Sequence, residues 1–141
     1  IGIDMSRFPT ANHLAAWAGV APGNYESAGK RLSSKTRHGN RVLRATLVQA
    51  AHALTQTKTY LAAQFRRLSR RRGSKRAAVA VAHSILVIAY HLIQRQEPYR
   101  DLGANYFDSS RPEATTKSLV KRLERLGYQV ALQPQTTVPV G

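Results

Sequence analysis

Residues 77–93, A-A-V-A-V-A-H-S-I-L-V-I-A-Y-H-L-I, are apolar almost all the way round a helix. A surface helix carries one apolar stripe, so a helix apolar on every side must be enclosed by protein or by lipid. A membrane span needs roughly 20 largely apolar residues. This run is shorter, contains His83, Ser84 and His91, and has basic flanks on both sides. It reads as the buried central helix of a bundle, over about residues 75–94, and no membrane association is expected. The rest of the chain must then supply helices to cover it.

Those helices can be placed by periodicity and caps. Thr10 suits an N-cap, with Leu14, Trp17 and Ala18 as an apolar stripe and Gly19 as the stop. With the Pro22-Gly23 turn, this short helix resembles half of a helix-hairpin-helix unit. A second helix, about 40–55, turns Leu43, Leu47, Ala50, Ala51 and Leu54 to the core. A third, about 59–72, buries Leu61, Phe65 and Leu68 and shows Arg66, Arg67, Arg70, Arg71 and Arg72 outward. Gly73 stops it, and Ser74 is placed to cap the central helix. Beyond that helix, Tyr99, Leu102, Tyr106 and Phe107 pin a loop to the core. Pro112 suits a first helical turn. Leu119, Val120, Leu123 and Leu126 follow as a stripe set among Lys117, Lys121, Arg122 and Arg125. The expected fold is all-α, a compact helical domain of about five helices. It has a helix-hairpin-helix-like N-terminal part and the buried central helix. Residues 1–110 form the domain, 111–128 an amphipathic basic helix and 129–141 a flexible tail.

The charge restricts the function. Lys and Arg number 22 against 7 Asp and Glu, a formal charge of +15 in 141 residues. Such an excess favours a polyanionic partner, nucleic acid before anionic membrane. The chain has no cysteine, which excludes disulfides, thiolate zinc sites and cysteine nucleophiles. None of the seven acids pair at helical spacing on an element expected to be rigid, which argues against a two-metal nuclease or a glycosidase built from this chain alone. No phosphate-binding G-x-x-x-x-G-K-[ST] loop is present. His83 and His91, eight apart and without a third ligand nearby, read as core or edge residues rather than metal ligands.

What remains is a hydroxyl nucleophile among cations. Tyr25 to Arg44 reads Y-E-S-A-G-K-R-L-S-S-K-T-R-H-G-N-R-V-L-R. It is taken as a flexible polar loop that runs into a helix opened by Asn40. Lys30, Arg31, Lys35, Arg37, Arg41 and Arg44 crowd it with positive charge, and phosphate favours a helix N-terminus so furnished. A serine attacking a phosphodiester needs such a field to stabilise the charge that develops. Ser27, Ser33 and Ser34 are all candidates on spacing alone. Arg67, Arg70 and Arg71 add a second basic face for nucleic acid.

The segments R-F-P-T-A-N-H-L-A-A-W-A-G-V-A-P-G-N-Y-E-S-A-G-K-R, K-T-R-H-G-N-R-V-L-R and K-T-Y-L-A-A-Q-F-R-R-L-S-R-R-R-G, with A-V-A-H-S-I-L-V-I-A-Y-H and P-Y-R-D-L-G-A-N-Y-F-D after them, closely resemble one family. It is the C-terminal transposase domain of the DEDD insertion-sequence transposases, bridge-RNA-guided recombinases. The resemblance covers about residues 1–110. It implies a mostly helical domain whose serine nucleophile, the serine before A-G-K, is Ser27. Many relatives have Ser-Gly directly, where this chain has Ser27-Ala28-Gly29. It further implies an N-terminal RuvC-like domain, outside this chain, holding magnesium on four acidic residues. No cofactor is expected in this chain. The implied reaction is DNA strand cleavage and exchange through a phosphoserine, within a homo-oligomer that binds DNA and a guide RNA in the bacterial cytoplasm at the nucleoid. This chain alone is expected to be inactive. Two other readings compete: a helical DNA- or RNA-binding module without chemistry, and a basic structural protein. Either needs the arginines but not Ser27.

Overall fold

The computed structural model describes residues 1–23, 25–33 and 35–136. Among the described residues six α-helices carry the fold: α1 (Ala11–Trp17), α2 (Arg41–Ala53), α3 (Tyr60–Arg72), α4 (Ser74–Arg95), α5 (Tyr106–Ser110) and α6 (Pro112–Arg125). The sixth, beyond the five expected, is the five-residue α5. Short side chains open the first three. Thr10 Oγ1 accepts from the His13 amide at 3.4 Å, Asn40 Oδ1 from Leu43 at 3.0 Å and Thr59 Oγ1 from Ala62 at 3.3 Å. Each cap satisfies one amide that the helix itself leaves without an acceptor.

The chain divides into two compact units, Ile1–Tyr106 and Phe107–Gly141. In the first, α4 is the spine, and α1, α2 and α3 all pack on it. Toward its C-terminal end Ala82, Leu86 and Tyr90 meet Met5, Leu14, Ala15, Ala18, Val20 and Leu47. Toward its start Ala77, Ala78 and Val81 meet Ala51, Leu61 and Phe65. Each large apolar side chain so enclosed contributes about 1.5–3 kcal/mol relative to exposure. Among the described residues no polar or charged residue is buried. The Tyr90 hydroxyl donates to the Phe8 carbonyl at 2.9 Å and ties α4 to the leading segment. By length and composition α4 could cross a membrane; here three helices of the same chain lie against it.

Several expectations fail locally, and Tyr99, Leu102 and Tyr106, expected to pin the segment after α4 to the core, are exposed. Trp17 is 44% exposed and pairs with Phe8, ring centroids 5.8 Å apart. The buried arc of α1 runs through Leu14, Ala15 and Ala18, and Trp17 falls beyond its edge at 100° per residue. Ala50 is exposed for the same reason, because Leu47 and Ala51 define the inner line of α2. Ser74 does not cap α4. Gly73, with φ 81° and ψ 160°, ends α3 and precedes α4 by itself, so Ser74 is already helical.

The largest correction lies between α1 and α2. The stretch read as a flexible loop contains a β-hairpin, β1 (Tyr25–Ser27) and β2 (Lys30–Ser33), paired antiparallel. Ala28 (φ 51°) and Gly29 (φ 75°) form its two-residue turn. Two successive positive φ angles give the primed turn whose twist matches that of paired strands. Glycine adopts this freely, and Ala28 does so at a cost.

The base of the hairpin is closed by backbone against backbone. The Asn40 amide donates to the Trp17 carbonyl at 3.0 Å. Gly19 and Gly39 cross so closely that a Cβ on Gly19 would sit 2.9 Å from the Gly39 nitrogen. A Cβ on Gly39 would strike the backbone of Ala18 and Gly19, and one on Gly23 would strike the Lys35 carbonyl. Glycine stands at these three places because only a hydrogen fits.

In the second unit α6 starts on Pro112 and ends before Gly127, as the sequence suggests. Its stripe residues Leu119, Leu123 and Leu126 are exposed.

Candidate functional site

Ser27 is the last residue of β1 and Lys30 the first of β2. The strand register makes them direct partners, with Glu26 opposite Arg31 and Tyr25 opposite Ser33. The register slips by one residue between the last two pairs, a bulge near the hairpin base. Ser27, Ala28, Gly29 and Lys30 are all exposed. The hairpin therefore presents a primary hydroxyl and an ammonium side by side at its tip, on a stem held by the glycine crossing.

The other serines of this stretch differ. Ser33 Oγ accepts from the Lys35 amide at 3.1 Å and so serves the local turn. Ser34 and the side chain of Arg31 lie outside the described residues. Lys35 and Arg37 are exposed on the segment returning to α2. Arg41 is the first residue of α2 and exposed; Arg44, one turn on, is half-buried. No acidic residue lies in that first turn. The α2 N-terminus thus carries the arginines the sequence reading placed there.

Arg67, Arg70 and Arg71 are exposed on α3, a separate element from the hairpin. Arg72, Lys75 and Arg76 are also exposed and continue the cluster around the α3–α4 joint. One signal in the sequence marks this. Between Glu26 and Glu97 the chain carries fifteen Lys and Arg and no carboxylate. The α2, α3 and α4 helices therefore carry no carboxylate of their own.

Asp101 was also missed. Its carboxylate accepts from the Tyr60 amide at 3.2 Å, the Gly103 amide at 2.8 Å and the Tyr99 hydroxyl at 2.9 Å. It locks the segment after α4 onto the first turn of α3, where a negative charge also suits the helix dipole. Tyr106 adds an edge-on contact with Tyr60 at 5.1 Å. Desolvation pushes the Asp101 carboxyl up, but the bonds from Tyr99, Gly103 and Tyr60 outweigh it and hold it below the ordinary Asp value. Burial, and then the bond to Asp101, push the Tyr99 phenol up to about 12. The sequence signal was the D-L-G triplet, an Asx-turn pattern.

The described residues contain no group of three or more His, Asp or Glu arranged to hold a metal. His83 is half-buried, and its imidazole pKa is lowered by desolvation; His91 is exposed.

Residues 1–67 match the model of the Transposase IS116/IS110/IS902 family, which spans the hairpin, α2 and the first part of α3. Residues 1–67 are thus similar to a transposase domain of that family. A Sinorhizobium fredii protein named as a transposase, y4pF/y4sB, is 35% identical over 103 residues, 69% of this chain and 27% of its own length. The transposase for insertion sequence element IS1111A of Coxiella burnetii is 34% identical over 102 residues, 69% of this chain and 28% of its own. The chain spans about a quarter of the length of these curated relatives. No solved structure matches it significantly.

Proposed function

We propose that this chain is the serine-bearing part of a DNA transposase, with Ser27 as the nucleophile. One observation carries the reading: a serine stands at the turn of a glycine-anchored hairpin, at the start of a stretch with fifteen cations and no carboxylate. Ser27 Oγ attacks a DNA phosphodiester and is joined to phosphorus as a deoxyribose oxygen leaves. The cations of the hairpin and of the α2 N-terminus hold the phosphate and take up its growing charge. Arg67, Arg70 and Arg71 grip the nucleic-acid backbone away from the reacting atoms. The complete protein adds a RuvC-like domain that binds magnesium, acts as a homo-oligomer with DNA and a guide RNA, and works in the bacterial cytoplasm. This chain by itself does not cleave.

The test is Ser27→Ala in the complete transposase. Recombination between donor and target plasmids is abolished, whereas binding to DNA is kept, because one oxygen and no charge is removed. Retained recombination would leave the helical nucleic-acid-binding module as the better reading.

A further inference from the structure

Resting on Ser27 as the nucleophile, we infer that Lys30 is the second catalytic group of this site, its ammonium holding the non-bridging oxygens of the phosphate that Ser27 attacks. Six cations lie near Ser27 in sequence, and the sequence ranks none above the others. The register does. Ser27 and Lys30 face each other across a two-residue turn. Directly paired residues of antiparallel strands point to the same face with Cβ atoms about 4.5–5.5 Å apart. The four-carbon stem of lysine then brings its ammonium over the serine hydroxyl and whatever is bound there. The positive φ angles of Ala28 and Gly29 fix this pairing. A one-residue slip would send Lys30 to the opposite face from Ser27. Lys35, Arg37, Arg41 and Arg44 lie outside the hairpin, and no register ties them to Ser27.

The step balances without a further reagent. The Ser27 Oγ–phosphorus bond forms as the bond from phosphorus to one deoxyribose oxygen breaks, and the electron pair leaves with that oxygen. The hydroxyl proton passes to water, and water protonates the leaving oxygen. Lys30 keeps its protons. In an in-line displacement the leaving oxygen lies opposite the nucleophile. A group beside Ser27 therefore meets the equatorial oxygens, where negative charge gathers.

The experiment follows single-turnover formation of the covalent protein–DNA adduct by the complete transposase on a suicide duplex, with duplex affinity measured alongside. Lys30→Gln is expected to slow adduct formation about 100-fold or more, the cost of removing one preorganised charge-stabilising donor, while affinity falls only slightly. Lys30→Arg retains most of the rate. Lys30→Cys is slow, and alkylation with 2-bromoethylamine, which rebuilds an ammonium at that place, restores it, whereas the same treatment leaves the parent and Lys30→Gln proteins unchanged. Wild-type adduct at Ser27 with an unimpaired Lys30→Gln variant would overturn the assignment. So would rate and affinity falling in equal proportion, which would make Lys30 a binding contact only. A wild-type protein that forms no adduct at Ser27 would overturn the nucleophile reading itself, and this one with it.

Discussion

Gly39→Ala tests the anchor on which the hairpin stands. Its outcome has a sign as well as a size. The backbone of Gly39 lies outside the positive-φ region that glycine alone favours, so alanine meets no conformational penalty there. Had there been room, the change would stabilise the fold by about 0.4–1 kcal/mol, by restricting the unfolded chain. There is no room. The new Cβ would overlap three backbone atoms, the carbonyl carbon of Ala18 and the nitrogen and Cα of Gly19. Backbone cannot swing aside as a side chain can, so the crossing must open. Overpacking costs typically about 1–3 kcal/mol, and with no flexible neighbour the upper end is expected. The net effect is destabilisation of about 2 kcal/mol once the unfolded-state gain is subtracted. Chemical denaturation of the chain followed by circular dichroism measures it. Limited trypsin digestion should show faster cutting at Lys30, Lys35 and Arg37 in the variant. Gly103→Ala is the control, since a Cβ there meets nothing within 4 Å and only the positive φ of 85° is strained. A Gly39→Ala protein as stable as the parent, or more stable, would refute the crossing.

Val81, fully buried in the middle of α4, should not tolerate a carboxylate. Val81→Asp is expected to abolish cooperative unfolding, because an unpaired buried charge costs several kcal/mol against a total of about 5–15; a normal melting curve would contradict the spine role of α4. Asp101→Ala should weaken the hold on α3 by about 1 kcal/mol, as replacing a capping carboxylate by alanine does. The pH dependence has a definite sign. The folded pKa of Asp101 is lowered, so its contribution is fully present above the unfolded value near 3.9 and is lost as pH falls through the folded value. Denaturation midpoints of the two proteins should therefore converge in acid; a constant gap down to the lowest pH would assign Asp101 another role.

The all-α plan and its spine were legible because a seventeen-residue run apolar on every side leaves little choice of place. The caps Thr10, Asn40 and Thr59 were legible or nearly so, because their chemistry is local. The hairpin was not. Its turn is Ala28-Gly29 rather than Asn-Gly, and its strands, Y-E-S and K-R-L-S, are too short and polar to show an apolar alternation. What stabilises it lies elsewhere, in glycines twenty residues apart that meet only after α1 and α2 are in place. Trp17 shows the same limit, since periodicity gives an arc but not where the arc is centred. For the site, composition brought the cations and three serines into view. It could not pair Ser27 with Lys30, because that pairing comes from register, and it could not show Ser33 committed to the Lys35 amide.

The most direct test of the central claim is to identify the atom that becomes joined to DNA. The complete transposase is incubated with magnesium and a suicide substrate whose cleaved end cannot be religated. The covalent adduct is then digested and the modified peptide sequenced by mass spectrometry. The nucleotide is expected on Ser27, in the peptide ending at Lys30, and absent from the Ser27→Ala protein. A nucleotide on Ser33, Ser34 or any residue outside the hairpin would contradict the assignment.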